Sequence, residues 1–121
     1  PRYDAWVAVV DLDREASDRA VAARIDAMLA QGFLEETKRL LEAHPQARAL
    51  GSVGYRELAM AVRGERTLEE ARIEAIRATR VYARRQRTWC KSEPGMTLST
   101  TAAALMAGEH DEAIRVWLRS R

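Results

Sequence analysis

A single apolar run near the start of the chain constrains the fold more than any other feature of the sequence. Residues Ala5–Val10 are apolar, rich in β-branched side chains and free of polar alternation, which is typical of a strand covered on both faces in a parallel sheet. No comparable run follows. Because a lone strand leaves its backbone N–H and C=O groups unpaired, we expect its partner strands in sequence outside these 121 residues or in another chain.

The remainder of the chain predicts a mainly α-helical fold with this one N-terminal strand. Capping residues, glycines and prolines divide it into segments with helical periodicity. Thr67 and Glu70 form a capping box that opens the longest segment, because each side chain can bind the other residue's backbone N–H. Pro94 and Gly95 end that segment. The predicted helices cover residues 13–30, 33–43, 55–62, 67–91, 97–107 and 111–118, and the last two are the least amphipathic.

The predicted helix 67–91 carries concentrated positive charge. Its segment Arg77–Lys91 has six basic residues and no acid, although the whole chain has a formal net charge of only +2. A solvated helix surface is one explanation, but like charges repel unless an anion lies along them, which favours a polyphosphate partner such as nucleic acid. Helical spacing places two sets of residues on opposite faces: Arg77, Arg80, Arg84, Arg87 and Lys91 on one, and Ala71, Ala75, Ala78, Tyr82 and Trp89 on the other. Tyr82 and Trp89 could serve as stacking platforms for bases, but their apolar face favours packing against the core.

The segment Gly51–Arg56 is a second candidate anion site. Its glycines could direct backbone N–H groups at a helix start towards an anion, although a simple turn before a helix is the plainer interpretation. It is not a P-loop, because the Gly-Lys-Ser/Thr ending is missing. Two distant histidines and one cysteine make no recognisable metal pattern. The sequence therefore predicts no metal site and no catalytic residue in this chain.

The bulk properties indicate one cytoplasmic domain. A length of 121 residues allows a modest core, and no segment approaches the roughly 18 continuous apolar residues of a membrane span. A single cysteine, Cys90, cannot form an internal disulfide and favours a reducing compartment. The expected protein has no membrane partner. Pro1 in place of an initiating Met suggests an excised or processed chain.

Three strings occur here in the order found in one known family. Arg24–Glu36, Val53–Leu58 (with Gly-Tyr-Arg) and Ala78–Trp89 (with Arg-Gln-Arg-Thr-Trp) closely resemble the C-terminal third of the tRNA dimethylallyltransferases, also called tRNA isopentenyltransferases. The resemblance suggests a division into residues 1–92, the C-terminal part of such an enzyme, and residues 93–121, a helical tail of unknown role.

The resemblance implies a P-loop-like α/β enzyme that transfers a dimethylallyl group from dimethylallyl diphosphate to N6 of the adenosine next to the tRNA anticodon. The N-terminal strand would be the last strand of its parallel sheet. The family's phosphate-binding loop and its catalytic aspartate and threonine belong to an N-terminal part that these residues do not match. That part would bind Mg²⁺, and the present chain would be catalytically incomplete alone.

The same resemblance implies the partners and the site residues. The partners would be the tRNA anticodon stem-loop and the missing N-terminal portion of the enzyme. Arg24 would take part in binding the diphosphate. The residues assigned to tRNA binding are Gly51, Ser52, Val53, Gly54, Tyr55, Arg56, Arg84, Arg85, Gln86, Arg87, Thr88, Trp89 and Lys91.

Two other functions stay open on the sequence. One is a non-catalytic helical nucleic-acid-binding module that has diverged from the enzyme. The other is a protein-interaction domain, in which the strand adds to a partner's sheet and the arginines meet an acidic surface.

Overall fold

The computed structural model describes residues 5–11, 13–92 and 98–120, and in these ranges the chain is mainly helical. The predicted fold class, a helical fragment with an N-terminal strand, is confirmed. A short 3-10 helix over Arg48–Gly51 was not predicted. The other elements, in chain order, are β1 (Ala8–Val10), α1 (Arg14–Ala30), α2 (Phe33–Ala43), α3 (Tyr55–Val62), α4 (Leu68–Ser92), β2 (Leu98–Thr100), α5 (Ala102–Met106) and α6 (Asp111–Arg119).

The contacts divide the chain into two compact units. The helical unit comprises Arg14–Arg84, and the strand unit combines Pro1–Asp13 with Arg85–Arg121. Helix α4 contributes residues to both. Within the described ranges, no helix combines the length and apolar character needed to cross a lipid bilayer.

The core of the helical unit joins its four helices. In one cluster, Ile25 of α1 packs against Ala75 and Ile76 of α4. In a second, Phe33 of α2 packs against Leu58 of α3. These apolar side chains recur at helical spacing in the sequence, so each helix buries one face against its neighbours.

Local capping signals set the ends of the helices in this unit. Gly32, with a φ of +98°, separates α1 from α2 at the predicted place, because glycine adopts positive φ without steric cost. The predicted capping box is present: the Thr67 N–H donates to Glu70 over 2.8 Å, and the Glu70 N–H donates to the Thr67 hydroxyl over 3.2 Å. These bonds hold the pKa of the Glu70 carboxyl below its ordinary value. Helices α1, α2, α3 and α4 closely match their predicted bounds.

The strand unit contains a second strand, so the prediction that no comparable strand follows β1 is wrong. Strand β2 pairs in parallel with β1, with Val9 opposite Ser99. The Leu98 N–H donates to the Val7 carbonyl over 3.2 Å, and the Asp11 N–H donates to the Thr100 carbonyl over 3.0 Å. Three residues of Leu-Ser-Thr are too short to show a strand pattern by themselves, and their ladder depends on β1.

This strand also corrects the predicted helix over residues 97–107. Its first part is β2, and α5 begins only at Ala102, after Thr101 accepts a hydrogen bond from the Ala104 N–H. Helix α6 lies where residues 111–118 predicted it. The predicted break at Pro94–Gly95 falls outside the described residues.

Candidate nucleic-acid interface

A glycine that lies against an aromatic ring shapes the loop before α3. Gly54 has a φ of +95°, a conformation that residues with side chains rarely adopt. A Cβ atom at this position would lie 3.2 Å from Cζ of Phe33. The loop therefore approaches α2 closely, while Gly51, Ser52 and Val53 remain exposed.

Tyr55 joins the same loop to α2 through two contacts. Its ring packs edge-on against Phe33, with centroids 4.9 Å apart and planes at 86°, a favourable arrangement for two aromatic rings. Its hydroxyl donates to the Glu36 carboxylate, which raises the pKa of Tyr55 above its ordinary value. The Tyr55 hydroxyl thus already has a hydrogen-bond partner within this chain.

The Glu57 carboxylate organises the backbone and the arginine beside it. Its Oε2 accepts a hydrogen bond from the Gly54 N–H over 2.7 Å. Its Oε1 accepts two from Arg56, over 2.9 Å from Nε and 2.7 Å from Nη2. The prediction that backbone N–H groups of this loop bind an external anion is therefore wrong for Gly54, because its N–H already donates to Glu57.

In the first part of the predicted basic stripe, the arginines are paired within the protein. Nε of Arg80 lies 3.5 Å from the Asp18 carboxylate, and its Nη2 donates to the Asp18 carbonyl over 3.2 Å. Nη1 of Arg77 lies 3.8 Å from Glu74, one helical turn away. Arg80 consequently links α4 to α1, and both arginines have a carboxylate partner.

The cationic segment, Arg84–Lys91, differs from the part of α4 that precedes it. Arg84, Arg85 and Lys91 are exposed, and Arg87 is half-buried. Across the described part of the chain, no carboxylate forms an ion pair with Arg85, Arg87 or Lys91. Gln86 and Thr88 are also exposed. Arg85 and Lys91 therefore present their positive charge to solvent.

The expectation that Tyr82 and Trp89 pack in the core is wrong. Tyr82 is 55% exposed and Trp89 is 62% exposed. The half-buried positions at this end of α4 are instead Ala83, Arg87 and Cys90. The helical spacing correctly grouped Tyr82 with Trp89, but a periodic pattern does not show how far along a helix its neighbours extend.

The remaining predicted site residue, Arg24, lies on the exposed surface of α1, one residue before buried Ile25. No metal ligands accompany it: within residues 5–11, 13–92 and 98–120, no cluster of three or more His, Cys, Asp or Glu side chains could hold a metal ion.

The predicted site residues fall into two separate sets. Gly51–Arg56 lie just before and at the start of α3, and the cationic segment occupies two turns of α4. The sequence analysis assigned no role in the loop before α3 to Glu57 or Glu36. For Glu57 a signal was available, since a glutamate at the third position of a helix can accept from the backbone N–H of the residue before the helix. For Glu36 no signal was available, because its bond to Tyr55 depends on the packing of α3 on α2.

Sequence comparison relates the chain to one group of enzymes. A family model described as IPP transferase matches residues 1–93. A tRNA dimethylallyltransferase from Nocardioides sp. is 46% identical over 90 residues, which cover 73% of this chain and 29% of that relative. One from Salinispora tropica is 38% identical over 122 residues, covering 96% of this chain and 36% of that relative. The chain thus spans about a third of these relatives, in their C-terminal part.

Solved structures show the same relationship. A tRNA delta(2)-isopentenylpyrophosphate transferase from Staphylococcus epidermidis superposes with a TM-score of 0.82 at 27% identity, covering 98% of this chain and 39% of that one. A tRNA isopentenylpyrophosphate transferase from Bacillus halodurans has a TM-score of 0.80 at 24% identity, covering 90% and 38%, and at that identity it shows the shared fold alone. The first superposition covers more of this chain than the family match over residues 1–93 does.

Proposed function

The chain belongs to the IPP transferase family, and from this premise we propose that it is the tRNA-binding C-terminal part of a dimethylallyltransferase. The complete enzyme would transfer a dimethylallyl group from dimethylallyl diphosphate to N6 of the adenosine next to the anticodon. The matched relatives carry the corresponding names. In this proposal the phosphate-binding loop, the catalytic residues and the Mg²⁺ site belong to sequence outside these 121 residues, and the protein works in the cytoplasm.

The observation that carries the proposal is the cationic segment of α4. Its basic side chains Arg85, Arg87 and Lys91 have no carboxylate partner in the described structure. Binding an RNA backbone would neutralise these charges and release the counterions condensed on the phosphates. The arginines nearer the start of α4 are already paired within the protein, so RNA binding would gain less from them.

Residue roles follow from exposure and chemistry. Arg84, Arg85, Arg87 and Lys91 would contact phosphates, and Gln86 and Thr88 would donate to phosphate or to base edges. The exposed indole of Trp89 would stack on an unpaired base. In the loop Gly51–Arg56, the backbone would approach the RNA and Arg56 would supply the charge. Arg24 would contribute to binding the diphosphate of the donor substrate.

RNA binding by the 121-residue chain tests the proposal directly. We expect an anticodon stem-loop to bind with log K falling linearly as log salt concentration rises. The double variant Arg85→Ala/Lys91→Ala should bind more weakly and lower the magnitude of the salt slope by about two, roughly one for each phosphate contact removed. Titration over a series of salt concentrations measures both quantities.

A charge-matched control separates a specific surface from net charge. Arg63 and Arg66 are exposed and lie outside the proposed site, so Arg63→Ala/Arg66→Ala removes the same charge elsewhere. This control should keep most of the affinity and the slope. Equal losses in both double variants, or binding that does not respond to salt, would show that the cationic segment is not an RNA-binding surface.

A further inference from the structure

A buried carboxylate beside an RNA-binding arginine needs an explanation. Glu57 is only 6% exposed, and it lies next to Arg56, which we propose to bind RNA. A negative charge near the phosphate chain opposes binding, and burying a charge is costly unless it is paired and hydrogen-bonded. The hydrogen bonds that Glu57 forms within the loop must therefore offset the cost of burying its charge.

Both oxygens of this carboxylate are used. Oε2 accepts from the Gly54 N–H, and Oε1 accepts from Nε and Nη2 of Arg56. One side chain consequently fixes the backbone at the start of α3 and the direction of the adjacent guanidinium. Charge-assisted hydrogen bonds of this kind are shorter and stronger than neutral ones.

The pairing leaves part of the guanidinium available. An arginine has five N–H donors in a planar fork, and Glu57 takes two of them. The three others lie at the Nη1 end and on the second hydrogen of Nη2, on a side chain that is 54% exposed. That end of the fork has the geometry for two parallel bonds to a phosphate.

We propose that Glu57 is a positioning residue for RNA binding, which holds the Arg56 guanidinium with its Nη1–Nη2 end directed at a backbone phosphate. This inference rests on the proposed function. A long, flexible side chain loses rotamer freedom when it binds. Glu57 imposes that ordering before the RNA arrives, and it removes little of the available hydrogen-bonding capacity.

The loop has a second support that is independent of Glu57. Tyr55 packs on Phe33 and donates to Glu36, so the loop stays on α2 when the Glu57 charge is removed. In Glu57→Gln the amide oxygen still accepts from the Gly54 N–H, but the amide N–H₂ group cannot accept from Arg56. This substitution therefore releases the arginine selectively.

A double-mutant cycle in the 121-residue chain tests the inference, with an anticodon stem-loop as the probe. Glu57→Gln should weaken RNA binding about 3- to 10-fold, the loss expected when one long side chain must be ordered on binding. Arg56→Ala should weaken it further. In the Arg56→Ala background, Glu57→Gln should not weaken binding further, because the residue through which it acts is gone. An undiminished effect in that background, or no effect of Glu57→Gln alone, would overturn the inference.

Hydrogen exchange of the Arg56 Nε–H gives a readout without RNA. We expect slow exchange in the unmodified chain and faster exchange in Glu57→Gln, with the melting temperature nearly unchanged. Fast exchange in both proteins would contradict the pairing. Arg63→Ala, at the residue that follows α3, is the control for loss of an arginine near this helix.

The outcomes separate this inference from the proposed function. If Arg85→Ala/Lys91→Ala weakens binding but Arg56→Ala does not, the positioning role is wrong and RNA binding stands. If the unmodified chain binds no stem-loop, the proposed function is wrong and the role of Glu57 in RNA binding is wrong with it.

Discussion

At the residue scale, two glycines in the same loop carry different constraints. Gly54 has positive φ and would bring a Cβ against the ring of Phe33. Gly51 has ordinary backbone angles, and a Cβ there would meet nothing within 4 Å. Only Gly54 is therefore required by the backbone.

We expect Gly54→Ala to lower the free energy of unfolding by about 1–3 kcal/mol, because alanine must adopt a strained conformation and displace the Phe33 ring. Gly51→Ala is the matched control and should change it by no more than about 0.5 kcal/mol. Chemical denaturation of both variants measures the difference. Equal effects would show that positive φ does not limit position 54.

Trp89 shows how exposure decides the role of an aromatic residue. Because Trp89 lies mostly in solvent, Trp89→Ala should leave the free energy of unfolding within about 0.5 kcal/mol. If its indole stacks on an RNA base, the same change should cost about 1–3 kcal/mol of binding free energy. Denaturation and stem-loop titration measure the two effects. A large loss of stability with unchanged RNA affinity would instead indicate a packing role.

At the element scale, an ion pair fastens α1 to α4. Nε and Nη2 of Arg72 lie 2.5 and 2.8 Å from the two carboxylate oxygens of Asp26, and Nη1 lies 3.1 Å from Glu69. The bonds from Arg72 lower the pKa of Asp26 below its ordinary value of 3.8 and raise the pKa of Arg72. The basic residues of α4 thus have two tasks, with internal pairs in its first part and exposed cations in its last turns.

The direction of the Asp26 shift predicts an effect of acid on stability. A carboxyl with a lowered folded-state pKa stabilises the fold above its unfolded-state pKa and loses that contribution as pH falls through the folded-state value. Asp26→Asn should therefore lower the melting temperature at pH 7 and have a smaller effect as the pH falls below 3.8. Thermal melts over a pH series measure this.

Glu15→Gln is the matched control for Asp26→Asn, because Glu15 and Arg19 form an exposed pair 3.5 Å apart within α1. Exposed pairs of this kind contribute little to stability, so no measurable change is expected. An Asp26→Asn effect that is equally large at pH 3 and pH 7 would contradict a role for the carboxylate charge.

At the scale of the whole molecule, the sheet pairs two segments that are far apart in sequence. Strand β1 lies near the start and β2 follows α4, so the ladder brings Val9 beside Ser99 despite the whole helical unit between them in sequence. Such a pairing requires closure of a long loop before any strand bond forms. Residues after the family match therefore take part in the folded strand unit.

Removal of one donor tests the ladder. Leu98→Pro deletes the N–H that bonds the Val7 carbonyl, and a proline inside a ladder breaks its hydrogen-bond pattern. We expect faster hydrogen exchange at the Asp11 N–H, which bonds Thr100 in the same ladder. Leu98→Ala keeps the N–H and should retain more protection. Unchanged exchange in Leu98→Pro would mean that this ladder does not protect the Asp11 amide.

The sequence by itself determined most of the local structure and the place where positive charge is concentrated. Capping boxes, glycines and apolar spacing act over a few residues, so the bounds of α1–α4 could be predicted from them. The concentration of positive charge without acids is likewise a property of consecutive residues. The strings around Gly54 and Gln86 indicated the family, which the comparisons confirm.

Only the tertiary structure decided which of these residues are engaged. Strand β2 exists because β1 supplies its hydrogen bonds, and Arg80 is paired because α1 brings Asp18 to it. Tyr82 and Trp89 are exposed because the face of α4 that packs at its C-terminal end is the one with Ala83 and Cys90. Each outcome depends on a contact between residues far apart in sequence, and the energy of such a contact is set by the partner's position rather than by the local pattern.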